Sequence, residues 1–280
     1  MRSQRAIQTC LVVGLVGLCP AVSFGEVLYG AARLPSSSSW DRLMRIDPAT
    51  AAGTEVGLFG AGFNLFGLAP GPDPDFLYAS GGGPSGNGLY TVSTVTGQAT
   101  WVGSWGSALY DALAYDAPND TLYASSPMGR VYEVSQADGS VIQQWQVQGA
   151  APYPQSITFN AHGLVGAYGA SLYTIDTSGP SNAVMSLLVA TGGSAGWGLA
   201  SDLDLTDADY NYARADTGSL YRVRGSDGAT QSVGSFYLAD EPSQSFSVYD
   251  AAYVPVPEPS SLILLAVVGL PILRQRRRRA

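Results

Sequence analysis

The segment Gly88-Leu-Tyr-Thr-Val-Ser-Thr-Val-Thr-Gly97 begins with a Leu-Tyr pair, continues as a short strand-like run and ends in a glycine turn. Related copies occupy Gly129 to Gly139, Ser171 to Gly179 and Ser219 to Gly228, and a degenerate copy occupies Arg42 to Thr50. Aligned on the tyrosine position, the copies are spaced 46, 42, 41 and 48 residues apart, at Met44, Tyr90, Tyr132, Tyr173 and Tyr221. A period of this length indicates one supersecondary unit per step.

Each unit contains three further strand-like segments. Two precede the Leu-Tyr strand, as in Leu65 to Ala69 and Leu77 to Ala79, or in Ala112 to Tyr115 and Leu122 to Ala124. One follows the glycine turn, as in Gln98 to Gly103. Four short strands joined by Gly, Asp, Asn and Pro turns are typical of a β-propeller blade. The pattern therefore predicts an all-β chain built from four-stranded blades.

The two ends of the repeat region complete one blade between them. Glu26 to Gly30 matches the second strand of a unit, and Tyr249 to Val254 matches the first strand that this unit lacks. We therefore expect a propeller of about five four-stranded blades, spanning residues 26–254 and closed by its N- and C-terminal strands. A six-bladed ring and an open β-solenoid are the alternatives. The body resembles the quinoprotein-like and WD40-like propellers of exported bacterial proteins, which implies a fold but no particular function.

Residues 1–25 have the parts of a secretory signal peptide. Arg2 and Arg5 supply a charged start, an apolar run follows, and small residues precede an expected cut between Gly25 and Glu26. Such a segment predicts export from the cytoplasm.

Residues 255–280 carry the motif Pro257-Glu258-Pro259, an apolar run from Leu262 to Leu273 and a basic end. The basic residues are Arg274, Arg276, Arg277, Arg278 and Arg279. This order resembles the PEP-CTERM sorting signal of Gram-negative bacteria that make exopolysaccharide. The resemblance implies a transient transmembrane helix, oriented by its cytoplasmic arginines, and processing by an exosortase near the motif. An anchor that is never cut and a nucleic-acid-binding tail are the alternatives.

The body between these segments is strongly acidic. The chain has no lysine, and the body has seven arginines against 21 acidic residues, a net charge of −14. Such a surface repels phosphate backbones and anionic headgroups, which argues against nucleic acid as a partner. Both cysteines, Cys10 and Cys19, lie in the expected signal peptide, so the mature body has no disulfide and no thiolate metal site.

The body offers few groups for catalysis. His162 is the only histidine, and it lies in Asn160-Ala-His-Gly163, where the repeat predicts a turn. Without a second histidine, a cysteine or a lysine, the body has no multi-histidine metal site and no Lys or Cys nucleophile. Carboxylate pairs stay open, because their separation is not visible in sequence. One alternative function is therefore a propeller enzyme of the lactonase or glycosidase type, using axial carboxylates and calcium.

The candidate calcium ligands lie close together in one segment, as Asp202, Asp204, Asp207 and Asp209. Closely spaced carboxylates supply the hard oxygen ligands that Ca²⁺ prefers, and no other cofactor is indicated. Other connections are acidic too, at Asp73 and Asp75 and at Asp116, Asn119 and Asp120. Aspartate therefore has a second interpretation here, as a turn former.

The chain has 16 tyrosines and five tryptophans, and such rings can stack on sugars. Most tyrosines recur at strand positions and are expected to pack between blades. Trp40 and Trp105 lie beside Ser- and Gly-rich connections and are the better candidates for exposure. Pro35 to Ser39 and Gly81 to Gly88 are expected to be flexible insertions between strands.

These patterns favour an exported protein of the cell envelope, cell surface or extracellular matrix that acts as a non-catalytic binding or structural module. Its expected partners are the secretion machinery and the exosortase during export. Exopolysaccharide or other surface proteins are the expected partners afterwards.

Overall fold

The computed structural model describes residues 24–105, 112–160, 162–191, 198–201, 212–216 and 218–257. Its strands lie almost wholly within one compact unit, Glu26–Val256. In these ranges there is no helix with the length and hydrophobicity needed to cross a membrane.

Twenty of the described strands form five repeats of four hydrogen-bonded strands. Repeat 1 contains β1 (Phe24–Arg33), β2 (Arg42–Ile46), β3 (Ala52–Leu58) and the last strand, β21 (Ser247–Pro257). Repeat 2 contains β4 (Asn64–Pro70), β5 (Phe76–Gly83), β6 (Gly86–Ser93) and β7 (Ala99–Ser104). Repeat 3 contains β8 (Ala112–Asp116), β9 (Thr121–Ser126), β10 (Arg130–Val134) and β11 (Val141–Gly149).

Repeat 4 contains β12 (Ser156–Asn160), β13 (Gly163–Tyr168), β14 (Ser171–Asp176) and β15 (Asn182–Ala190). Repeat 5 contains β16 (Gly198–Ser201), β17 (Tyr212–Asp216), β18 (Ser219–Val223) and β19 (Thr230–Ser235). The short β20 (Tyr237–Leu238) pairs in parallel with β3. The predicted all-β architecture of four-stranded units is therefore confirmed, and each Leu-Tyr segment forms the third strand of its repeat.

The terminal strands share one sheet, as their sequences predict. In repeat 1 the strand order is β3-β2-β1-β21, so the last strand lies beside the first. One feature was not predicted: β11 pairs in parallel with β15, joining the outer strands of repeats 3 and 4 into an eight-stranded sheet.

Five apolar cores lie between successive repeats. Representative members are Tyr90 between repeats 1 and 2, Tyr132 between repeats 2 and 3, and Tyr173 between repeats 3 and 4. Val223 packs between repeats 4 and 5, and Leu220 packs between repeats 5 and 1. Tyr90, Tyr132 and Tyr173 are buried in these cores, which confirms the predicted role of these tyrosines in packing between units, whereas Tyr221 is partly exposed.

The predicted insertion from Gly81 to Gly88 is wrong. These residues continue β5 and β6, with Gly81 opposite Gly88 and only Pro84 and Ser85 in the turn. Glycine is needed here for packing, because an added Cβ on Gly88 would meet the Trp101 ring of β7. The glycine-rich composition therefore reflects close approach between strands.

Candidate ligand-binding site

One end of the repeats, defined by the β1–β2 and β3–β4 loops, is here the upper face. The two loops are joined by main-chain hydrogen bonds, from the Phe59 amide to the Asp41 carbonyl (2.8 Å) and from the Leu65 amide to the Trp40 carbonyl (3.1 Å). The Trp40 amide also donates to Asn64 Oδ1 (2.9 Å). Trp40 is therefore held in place at the start of β4.

The upper-face cluster consists of Arg33, Trp40, Phe66 and Tyr249, all partly exposed. The Trp40 and Tyr249 ring centroids are 5.4 Å apart in an edge-on arrangement, and those of Phe66 and Tyr249 are 5.2 Å apart. The Arg33 guanidinium carbon lies 4.7 Å from the Trp40 ring centroid. Three aromatic rings and one cation, from β1, β4, β21 and a loop, thus converge at one place.

Of the two arginines near this cluster, Arg42 forms ion pairs and Arg33 does not, among the described residues. Arg42 donates to Asp41 (3.0 Å) and to Glu55 (2.7 Å). Burial lowers the pKa of Arg42, but the hydrogen bond to Asp41 and the charge of Glu55 outweigh it, so the pKa is raised overall. Among the described residues, Arg33 has no carboxylate within ion-pair distance.

The centre of the repeats is bridged by one acid. Asp250 of β21 is 1 % exposed, and its Oδ2 accepts the Leu68 amide of β4 (2.9 Å). Its Oδ1 accepts the Ser156 hydroxyl of β12 (3.1 Å). The first strand of each repeat, which is β21 in repeat 1, is here called its inner strand. Because β12 belongs to repeat 4, Asp250 connects the inner strands of repeats 1, 2 and 4.

The described inner strands contain only one other acid. Asp116, at the end of β8, accepts the Asn119 amide (3.2 Å) and side chain (2.8 Å) within its own turn. Both carboxylates therefore already accept hydrogen bonds from the fold. No group of three or more His, Cys, Asp or Glu residues in the described ranges has an arrangement suited to a metal.

The calcium candidates Asp202, Asp204, Asp207 and Asp209 lie outside the described residues. Comparable acids that are described form turns, as the second interpretation predicted. Asp73 Oδ1 accepts the Asp75 amide (3.0 Å), and Asp47 and Asp176 accept amides in the same way (2.8 and 2.9 Å). Main-chain hydrogen bonds lower the pKa of both Asp47 and Asp176.

The tryptophan expectations have different outcomes. Trp105 is buried in the core between repeats 2 and 3, so its predicted exposure is wrong. Residues of both repeats form this core around it. Trp40 is partly exposed and belongs to the upper-face cluster. His162 lies in an exposed turn, as expected, where its amide donates to Asn160 Oδ1 (2.8 Å).

Several other predicted site residues fall outside the described parts. They include Glu258 and Pro259, and Arg274, Arg276, Arg277, Arg278 and Arg279. The main chain is described for Gly25 and Glu26 in β1 and for Pro257 at the end of β21. The segment Gly192-Gly-Ser-Ala-Gly196, which was not among the predicted site residues, has the Gly-x-Ser-x-Gly spacing of a hydrolase nucleophile elbow and lies outside the described ranges.

Sequence reasoning missed Arg33, Phe66 and Tyr249 as site residues. Phe66 and Tyr249 occur within inner-strand segments, where a ring is ordinarily interpreted as core. Arg33 is not part of any recognisable sequence motif. Trp40 was the one member of the cluster that the sequence indicated. The β1–β2 loop brings it to the start of β4 and next to Tyr249 of β21.

Solved structures define the class of fold. The chain is similar to a structure of a nidogen–laminin complex, with a TM-score of 0.54, 12% identity and coverage of 82% of this chain and 98% of that chain. It is also similar to TolB from Acinetobacter baumannii, with a TM-score of 0.50, 11% identity and coverage of 82% and 66%. A third similar structure is a protein of unknown function from Bacteroides thetaiotaomicron VPI-5482. Its TM-score is 0.50 and its identity 14%, and the match covers 82% of this chain and 71% of that chain.

These likenesses show that the chain has a β-propeller-like fold. Their identities are too low to transfer an activity, and the same fold carries unrelated functions. No protein-family model matches the chain, and no curated protein matches its sequence.

Proposed function

We propose that this protein is an exported, non-catalytic β-propeller that binds carbohydrate through the upper-face cluster. The observation that carries the proposal is the convergence of the partly exposed Trp40, Phe66 and Tyr249 rings at one place. Aromatic faces stack on the apolar faces of sugars, and rings held by the main chain lose little entropy on binding. The Trp40 hydrogen bond to Asn64 provides such support.

The scaffold of this site is proposed to be a closed five-bladed ring. Five cores between successive repeats, including one between repeats 5 and 1, support that arrangement. The pairing of β21 with β1 and the bridge through Asp250 support it further. A ring closed in this way fixes the relative positions of the loops that form the upper face.

The cellular location is proposed from the two end segments. Export through the signal peptide of residues 1–25 would be followed by exosortase processing of residues 255–280. The protein would then reside in the cell envelope, on the surface or in the extracellular matrix of a Gram-negative bacterium. The carbohydrate partner in that setting is exopolysaccharide. Binding to other surface proteins is the alternative.

Replacing Trp40 by alanine is expected to weaken binding of the producing cell's exopolysaccharide by about tenfold, because one stacked ring contributes roughly 1 kcal/mol or more. Trp40→Phe retains an aromatic face and should lose less. The measurement is titration calorimetry on the full chain in a neutral detergent, with thermal unfolding to verify the fold of each variant.

Tyr153→Ala is the matched control for this experiment. Tyr153 is also partly exposed and packs edge-on against another ring, that of Tyr168, at a centroid distance of 5.4 Å in repeat 4. Its replacement should leave affinity unchanged. Equal losses in the Trp40 and Tyr153 variants, or no binding by the unmodified chain, would contradict the proposed site.

A further inference from the structure

From the charge of the upper-face cluster we infer that its ligand is an acidic sugar residue, a uronate whose carboxylate is bound by Arg33. This inference rests on the proposed carbohydrate function and narrows it to one class of ligand. Arg33 lies at the end of β1 with its guanidinium over Trp40. The cation and the stacking rings are therefore close enough to contact a single sugar residue.

The guanidinium group of Arg33 suits a carboxylate. Its central carbon lies 4.7 Å from the Trp40 ring centroid, and a planar guanidinium can form paired N–H hydrogen bonds to the two oxygens of a carboxylate. Stacking on Trp40 also restricts the side chain, so less entropy is lost on binding. A lysine ammonium could provide the charge but not this flat, two-point geometry.

Asp41, which follows Trp40 in the sequence, does not form an ion pair with Arg33. Asp41 accepts the Ser37 hydroxyl (2.9 Å) and the Arg42 Nε–H (3.0 Å). Glu55 is likewise occupied by Arg42 (2.7 Å). Arg42 thus engages both acids, and in the described chain Arg33 is left without an ion pair.

The location of this arginine is unusual for the protein as a whole. The body has a net charge of −14, which repels an anionic polymer over most of its surface. Arg33 thus places a positive charge beside three aromatic rings, with no ion pair among the described residues. This combination favours recognition of a single acidic residue at a defined position over general attraction to a polyanion.

The test compares tetragalacturonate with neutral tetragalactose of the same length, using titration calorimetry on the full chain in neutral detergent. A chelator is included so that bridging cations cannot contribute. The uronate oligomer is expected to bind at least about tenfold more tightly, because hydrogen bonds to a charged group are strong. Arg33→Gln should abolish this preference while retaining the weaker neutral binding.

Arg45→Gln is the control, because Arg45 is an exposed arginine of the same repeat, on β2, and lies outside the upper-face cluster. It should keep the preference for the uronate. Equal binding of the two oligomers by the unmodified chain would overturn the inference and leave the carbohydrate function standing. An equal loss in both arginine variants would also overturn it, since the effect would then be general charge. Binding of neither oligomer would contradict the inference and the proposed function together.

Discussion

Gly103→Ala is expected to reduce the free energy of unfolding by about 3 kcal/mol or more, because there is no room for a methyl group between two backbones. Gly103 lies in β7, the outer strand of repeat 2. A Cβ added there would collide with the Asp138 carbonyl in the β10–β11 turn of repeat 3. Neither segment can move without breaking its own strand pairing.

The turn on the other side of this contact is equally constrained. Gly139 has a positive φ of 72°, and an added Cβ would lie 2.9 Å from the Gly103 carbonyl oxygen. A related contact joins Gly97 to Gly57 between repeats 2 and 1, where the corresponding distance is 2.6 Å. Backbone contact between adjacent repeats therefore replaces side-chain packing at these edges.

Gly218→Ala is the control for the steric explanation. Gly218 is exposed, has no positive φ and would place an added Cβ where no atom lies within 4 Å. Its replacement should change stability by no more than about 0.5 kcal/mol. Chemical unfolding with a two-state fit provides the comparison, and a Gly103 variant as stable as the Gly218 variant would contradict the close packing of repeats 2 and 3.

Asp250→Ala is expected to cost about 3–5 kcal/mol of stability. It removes the hydrogen bonds that Asp250 accepts from the buried Leu68 amide and the Ser156 hydroxyl, and the loss of a buried hydrogen-bond partner costs roughly 1–3 kcal/mol. A small cavity adds to this loss. Since Asp250 belongs to β21, we also expect hydrogen exchange to accelerate in β21 and β1, where the terminal strands meet.

The Asp250→Asn variant distinguishes the contribution of the hydrogen bonds to stability from that of the negative charge. An asparagine oxygen can still accept the Leu68 amide, and its NH₂ group can donate to the Ser156 hydroxyl, which then acts as acceptor. The asparagine variant should retain more than half of the stability lost in the alanine variant. If both variants unfold at the wild-type denaturant concentration, Asp250 does not connect the repeats.

The strand pattern could be predicted well from the sequence because each repeat combines a short apolar strand with turn-forming Gly and Asp residues. Tyr90, Tyr132 and Tyr173 recur at similar spacing because they fill equivalent positions between sheets. The joining of β11 to β15 was not predictable, since pairing between outer strands depends on how neighbouring repeats are tilted. The segment from Gly81 to Gly88 was wrongly predicted to be a flexible insertion, because glycine composition does not distinguish a flexible connection from closely packed strands.

The candidate site was less accessible to sequence analysis. Trp40 could be nominated from its loop, but the other members come from β1, β4 and β21, which are far apart along the chain. The pairing of Arg42 with Asp41 and Glu55 is likewise visible only in three dimensions. Trp105 was predicted to be exposed because it lies beside a Gly-rich connection, but it is buried in the core between repeats 2 and 3.

The most direct test of the carbohydrate-binding account is ¹⁹F NMR on the full chain labelled with 5-fluorotryptophan. The five tryptophans should give five resonances, and Trp40→Phe assigns the signal of the upper-face cluster by its absence. Titration with tetragalacturonate is predicted to shift the Trp40 resonance and to leave those of the buried Trp105 and Trp145 in place. A Trp40 resonance that does not move at saturating oligomer, or a shift confined to another tryptophan, would contradict the account.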